Sequence, residues 1–174
     1  MGISYSSSEK SIQKRSMAGL NAINFFQAEM VGVVLPALNA FLREAHWRYD
    51  SIGFATALAG LGTLVLQPIA GELADRISSR RFLFALSAVI TGACFVALPL
   101  VPGNPSWIDG LLFISGAVQS FFAPLLGALA LALVGHKLLN HTAGVNQGWN
   151  HAGNIAAALA AILLVRFMGI SSVF

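Results

Sequence analysis

Apolar residues along this chain fall into long uninterrupted runs, separated by short stretches where charge and helix-breaking residues concentrate. Five runs, roughly 17–42, 52–71, 82–101, 107–134 and 146–168, reach the length of about 20 residues that a helix needs to cross the hydrocarbon layer. The links are Arg43–Asp50, Glu72–Arg81, Pro102–Ser106 and Gly135–Gly144. Links this short make sequential helices antiparallel neighbours. The pattern therefore predicts an all-α integral membrane protein of about five transmembrane helices, with residues 1–16 as a polar tail ahead of them.

Composition sharpens this picture. With 56% hydrophobic and 10% charged residues, the 174-residue chain carries more apolar surface than one soluble core buries, so the expected solvent is a lipid bilayer. A net charge of +3 raises the question of nucleic acid, but the basic residues sit in short connectors rather than on one continuous face, so no nucleic-acid partner is expected. Cys94 is the single cysteine and lies inside an apolar run, which leaves no disulfide framework or cysteine metal site within the chain. The Ser-rich start with Lys10, Lys14 and Arg15 resembles the head of a signal peptide. The apolar run that follows is longer than the ~7–15 residues of a signal core and contains Glu29, so it reads as an uncleaved first span.

Charge also orients the chain. Lys10, Lys14, Arg15, Arg76, Arg80, Arg81 and Lys137 fall on one side of the predicted spans, and only Arg43, Arg48 and Arg166 on the other. The richer side is expected to be the cytoplasm, with the N-terminus inside. Trp47 and Trp107 stand beside apolar ends on the opposite side, where indole rings favour the water interface.

The second link carries more than charge. It reads Gly71-Glu-Leu-Ala-Asp75-Arg76-Ile-Ser-Ser-Arg80-Arg81, with an acid immediately before an arginine and four residues after a glycine. Retention of a positive loop explains the arginines but not the acid. The stretch resembles the Gly-x-x-x-Asp-Arg-x-Gly-Arg-Arg-Arg/Lys signature between spans two and three of the major facilitator superfamily. Gly71, Asp75, Arg76, Arg80 and Arg81 fit it; Ser78 stands where the family has glycine and Ser79 where it often has a basic residue. Two other stretches are similar to the family: Phe25-Phe26-x-x-Glu29-x-x-Gly32-x-x-x-Pro36 in the first span, and Asn146-Gln147-x-x-Asn150-His151-Ala152-Gly153-Asn154 in the fifth. The resemblance implies that residues 17–174 form most of an N-terminal six-helix bundle. It further implies that Asp75 and Arg76 belong to a cytoplasmic latch against a helix N-terminus in a second half. The apolar-leaning Ile170–Phe174 reads as the start of a sixth span, so the chain is expected to be a piece of a longer protein.

Polar residues inside the spans are the candidate chemistry. A carboxylate at the bilayer centre costs about 3 kcal/mol, so Glu29 needs a purpose: proton exchange or cation binding, or else a protonated hydrogen bond that helps helices pack. At about 100° per residue, Asn21, Asn24, Glu29, Gly32, Pro36 and Asn39 share a broad stripe expected to face a wet interior, with Gln27 outside it. On the fifth span Asn146, Asn150 and Asn154 share a face beside Gly153, with Gln147 and His151 on its flank. Amides there suit either a polar solute or contacts between helices. Gln119 lies near the middle of the fourth span; Gly116 stands where the family's second signature has an arginine, and the fifth span lacks the Gly-x-x-x-Gly-Pro pattern of its antiporters. The candidate pathway is thus Glu29, Asn24, Gln119, Asn150, His151 and Asn154.

His136 and His141 point about 140° apart on a helix, which does not suit one metal ion, and no nucleophile–base pair or phosphate loop is present. No enzyme activity, cofactor or metal is expected. The leading expectation is a secondary transporter of the inner (plasma) membrane that binds a small polar molecule or ion at the midplane between two halves. The second half would be a missing C-terminal part or a second copy of this chain. The competing expectation is a non-transporting membrane protein, an assembly partner or a relic that keeps the fold.

Overall fold

A computed structural model of the chain describes the backbone of residues 7–174 and the side chains of residues 14–34 and 36–174. The elements are α1 (Ser7–Glu44), α2 (Tyr49–Arg76), α3 (Arg80–Ala97) with a 3-10 turn at Leu98–Leu100, α4 (Pro105–Gln119), α5 (Phe122–Met168) and a second 3-10 turn at Ile170–Val173. Four helical stretches are long and apolar enough to cross a membrane: Lys14–Glu44, Tyr49–Arg76, Arg80–Leu100 and Pro105–Met168. The chain is an all-α multi-pass membrane protein.

The last stretch holds 64 residues. At about 1.5 Å per residue it would be roughly three times longer than the hydrocarbon layer is thick if straight. It is not straight. Gly135 interrupts α5 with φ 66° and ψ 178°, a conformation that only glycine adopts freely. Phe122, Leu126 and Ala130 before the break line the same cleft as Leu139, Asn146 and Asn150 after it, so the two arms of α5 fold back on each other. A milder break separates α4 from α5 at Ser120–Phe121. Pro124, four residues on, has no N–H to offer the Ser120 carbonyl.

Helices overrun the links expected from composition. Residues 7–16 of the anticipated tail continue α1, and residues 136–144 belong to α5 rather than to a polar loop. Residues 71–76 form the end of α2, which leaves only residues 77–79 as the link to α3. Polar residues in these places do not break a helix. Lys10, one of the orienting charges, lies outside the described side chains.

Two helix pairs hold the bundle. Between α2 and α4, a Cβ on Gly62 would collide with the Phe113 carbonyl and one on Gly116 with the Ala59 carbonyl. The Thr63 hydroxyl donates across the same crossing to the Gly116 carbonyl at 2.9 Å. Between α1 and α5, a Cβ on Gly153 would strike the Phe25 carbonyl and one on Gly32 the Asn154 side chain. Small residues let the backbones approach, the main source of helix association in lipid. Between the pairs sits a core of Val34, Leu38, Phe41, Leu42, Ile52, Phe95, Leu98, Ile108 and Leu112. Trp47 belongs to it: only 8% exposed, it plugs the bundle end, and its Nε1–H donates to the Pro102 carbonyl at 2.9 Å. This indole is a core residue rather than an interface anchor. Trp107 keeps the exposed position, with its Nε1–H on the Ala97 carbonyl at 3.0 Å.

Gly116→Ala is therefore expected to destabilise the bundle by about 1–3 kcal/mol through overpacking. Gly60→Ala, with nothing within 4 Å of the added Cβ, is expected to be neutral or slightly stabilising. Unfolding in mixed micelles, followed by circular dichroism, measures both.

Candidate functional site

Helices α1 and α5 cross at their glycines, and beside that crossing the first arm of α5 and the end of α4 complete a cleft of about 480 Å³. Its polar lining consists of amides alone: Asn24 and Gln27 from α1, Gln119 from α4, and Asn146, Gln147 and Asn150 from the second arm of α5. Phe122, Ala123, Leu126, Gly127, Ala130, Leu139 and Ala143 form the apolar remainder. Among the described residues no charged side chain lines it. An uncharged amide offers one acceptor and two N–H donors, so this wall can hold hydroxyl, carbonyl or amide groups without the desolvation cost of a buried ion.

Several of these amides are already committed to one another. Asn24 is buried in the cleft lining and its Nδ2 donates to the Leu20 carbonyl one turn back, at 2.9 Å. Asn150 Nδ2 donates to Gln27 Oε1 at 3.4 Å and so bridges α1 and α5. Asn154 Nδ2 donates to the Asn150 carbonyl at 3.1 Å and to Asn150 Oδ1 at 3.2 Å. Asn154 thus holds Asn150 from the turn beyond. The Oδ1 of buried Asn146 has no hydrogen-bond partner among the described residues, which leaves a buried acceptor open in the wall.

Of the residues singled out in the sequence, the structure brings Asn24, Gln119 and Asn150 together in the cleft. It adds Gln27, Asn146 and Gln147. Glu29, His151 and Asn154 do not line it. Glu29 is half-buried and lies about 200° around α1 from Gln27, on the other side of the helix. Asn154 is exposed beside the crossing and backs Asn150, while His151 is exposed. The broad polar stripe read along α1 divides by purpose: Gly32 serves the contact with α5, Asn24 the cleft. Gln27 belongs with Asn24 because residues three apart share a helix face. That spacing is the signal by which the sequence discloses it. Among the described residues no His, Cys, Asp or Glu group of three or more gathers as a metal site.

The second candidate region, at the α2–α3 link, is built from helix ends. Arg76 pairs with Glu72 one turn back at 2.7 Å, rather than with adjacent Asp75. Arg80 donates from Nε to the Ala74 carbonyl at 3.0 Å and so satisfies one of the open carbonyls at the end of α2. Asp75 is exposed, Arg81 is exposed at the start of α3, and Gly71 has open space around its Cα.

Comparison with known proteins places these features in context. The family model for the Major Facilitator Superfamily matches residues 17–174. An uncharacterized MFS-type transporter of Mycobacterium tuberculosis is 37% identical over 164 residues, which is 94% of this chain and 39% of the relative. The multidrug resistance protein MdtG of Dickeya zeae is 24% identical over 148 residues, 82% of this chain and 36% of that protein. MdtG of Proteus mirabilis is 25% identical over 149 residues, with the same coverages of 82% and 36%. The chain thus spans well under half the length of these relatives. No solved structure matches.

The cleft geometry is open to a direct check with single cysteines on a Cys94→Ala background. Gln147→Cys and Asn150→Cys are expected to react with a hydrophilic maleimide. Leu64→Cys and Val89→Cys, on outward faces that are 67% and 69% exposed, meet lipid instead and are expected to react at least about tenfold more slowly, because hydrocarbon suppresses the thiolate.

Proposed function

The chain belongs to the major facilitator superfamily, and from that premise we propose that it forms the first part of a secondary transporter that moves a small polar solute by alternating access. The amide-lined cleft carries this reading. Asn24, Gln119 and Asn150, with Gln27, Asn146 and Gln147, would supply one wall of a midplane site. The other wall would come from a C-terminal half or a second copy of the chain, a need that fits coverage of 39% of the M. tuberculosis relative.

In this reading the membrane domain covers residues 17–174 and crosses five times, with residues 1–16 ahead of it. The break at Gly135 supports counting the 64-residue stretch as two crossings. The excess of Lys and Arg at one end supports a cytoplasmic N-terminus in the inner membrane. Asp75 and Gly71, at the end of α2, would dock against the second half, with Arg76 held by Glu72 and Arg80 by the Ala74 carbonyl. Glu29, away from the cleft, would take part in proton coupling rather than in solute contact. His151 and Asn154 would support the rim, Asn154 through its bond to Asn150.

A second reading, export of amphipathic drug-like solutes, is favoured by the names of the MdtG relatives and by the apolar wall of Phe122, Leu126 and Ala130. Uptake into proteoliposomes by the full-length protein distinguishes the two. Under the first reading, Gln119→Ala and Asn150→Ala each lower kcat/KM for a polar solute about tenfold, the cost of one lost hydrogen bond. Under the second, Phe122→Ala has the larger effect. Glu29→Gln is expected to flatten the pH dependence of transport while leaving KM near its original value; an unchanged pH profile would sink Glu29 as the coupling acid.

A further inference from the structure

At the basic end of the bundle a second groove, of about 420 Å³, opens between the start of α1, the start of α3 and the first arm of α5. Its walls are Leu20, Ile23, Leu129 and Leu133 with Gly19 beside them, and its polar rim is Ser16 and Arg81. We propose that this groove binds one anionic phospholipid, with the headgroup phosphate on Arg81 and an acyl chain against the leucines.

The arginine of the rim is singled out by what its neighbours do. Arg76 is engaged by Glu72 and Arg80 by the Ala74 carbonyl. Arg81, exposed over the groove, makes no hydrogen bond or ion pair with the described residues. A guanidinium in that state has its full fork of donors available, and a phosphate diester matches it. Lys14 and Arg15, exposed on α1 next to Ser16, add positive charge at the same end. The apolar walls select the source of the phosphate. A free anion would have to leave water to sit beside leucines, whereas a lipid phosphate already stands at the interface with its chains in the hydrocarbon. The assignment depends on the chain lying in a membrane and not on the transport reading.

Native mass spectrometry of the protein in a neutral detergent, titrated with phosphatidylglycerol or phosphatidylcholine, tests it. One phosphatidylglycerol should be retained in preference to phosphatidylcholine. Arg81→Gln should weaken that retention about fivefold, the contribution of one basic residue at an anionic surface. Arg76→Gln removes the same charge at a residue that does not line the groove and is paired with Glu72, and should leave retention unchanged. Gly19→Phe, whose side chain starts from a position with nothing within 4 Å, should fill the groove and displace the lipid without shifting the melting temperature. Retention that survives both Arg81→Gln and Gly19→Phe overturns the proposal. So does equal loss in Arg76→Gln and Arg81→Gln, which marks diffuse attraction, or full displacement by millimolar inorganic phosphate, which marks a soluble-anion site.

Discussion

A lipid tail solvates leucine about as well as another leucine does, so helices in a bilayer associate where their backbones can come close. In this chain that happens at two crossings, Gly62 and Gly116 between α2 and α4, and Gly32 and Gly153 between α1 and α5. Both are sealed by carbonyl contacts that a single methyl group would break. The rest of the structure depends on them. The α1–α5 crossing sets the spacing at which Asn150 reaches Gln27, and so fixes one edge of the amide cleft. The α2–α4 crossing carries the Thr63 hydroxyl bond and holds the end of α4 that presents Gln119. A polar wall inside hydrocarbon survives because apolar contacts beside it determine where each amide stands.

Helix existence was legible in the sequence, and helix ends were not. Hydropathy reports where a helix can meet lipid, but residues 136–144 and 71–76 stay helical through a polar stretch, because the backbone hydrogen bonds of a helix do not depend on apolar side chains. The true reversal rests on one residue, Gly135, whose positive φ has no hydrophobic signature. In the site, Asn24, Gln119 and Asn150 were recognisable as polar residues misplaced in apolar runs. Gln27 lies outside the broad polar stripe of the α1 wheel, because that stripe centres on Gly32, a glycine that serves packing. A helix wheel gives relative direction only; which direction is inward depends on partners far away in the chain. Trp47 makes the same point, since its core position follows from an acceptor 55 residues distant.

The arginines after Gly71 are equivalent in composition and differ in structure. One is tied along its own helix, one closes the end of α2 and one stands over a groove. A charge motif of this kind does several jobs at once: it orients the chain, completes a helix end and leaves a cation for something outside the protein. Family resemblance identifies such a motif without dividing these tasks among its members.

The fold-back at Gly135 has a mechanical side. Gly135 is the residue inside α5 with non-helical φ and ψ, and the chain on either side of it is continuous helix, so a change of angle between the two arms concentrates at this residue. Both arms carry cleft lining, Phe122 and Leu126 on one and Asn146 and Asn150 on the other. The width of the cleft on the α5 side is therefore governed by the backbone angles of a single glycine.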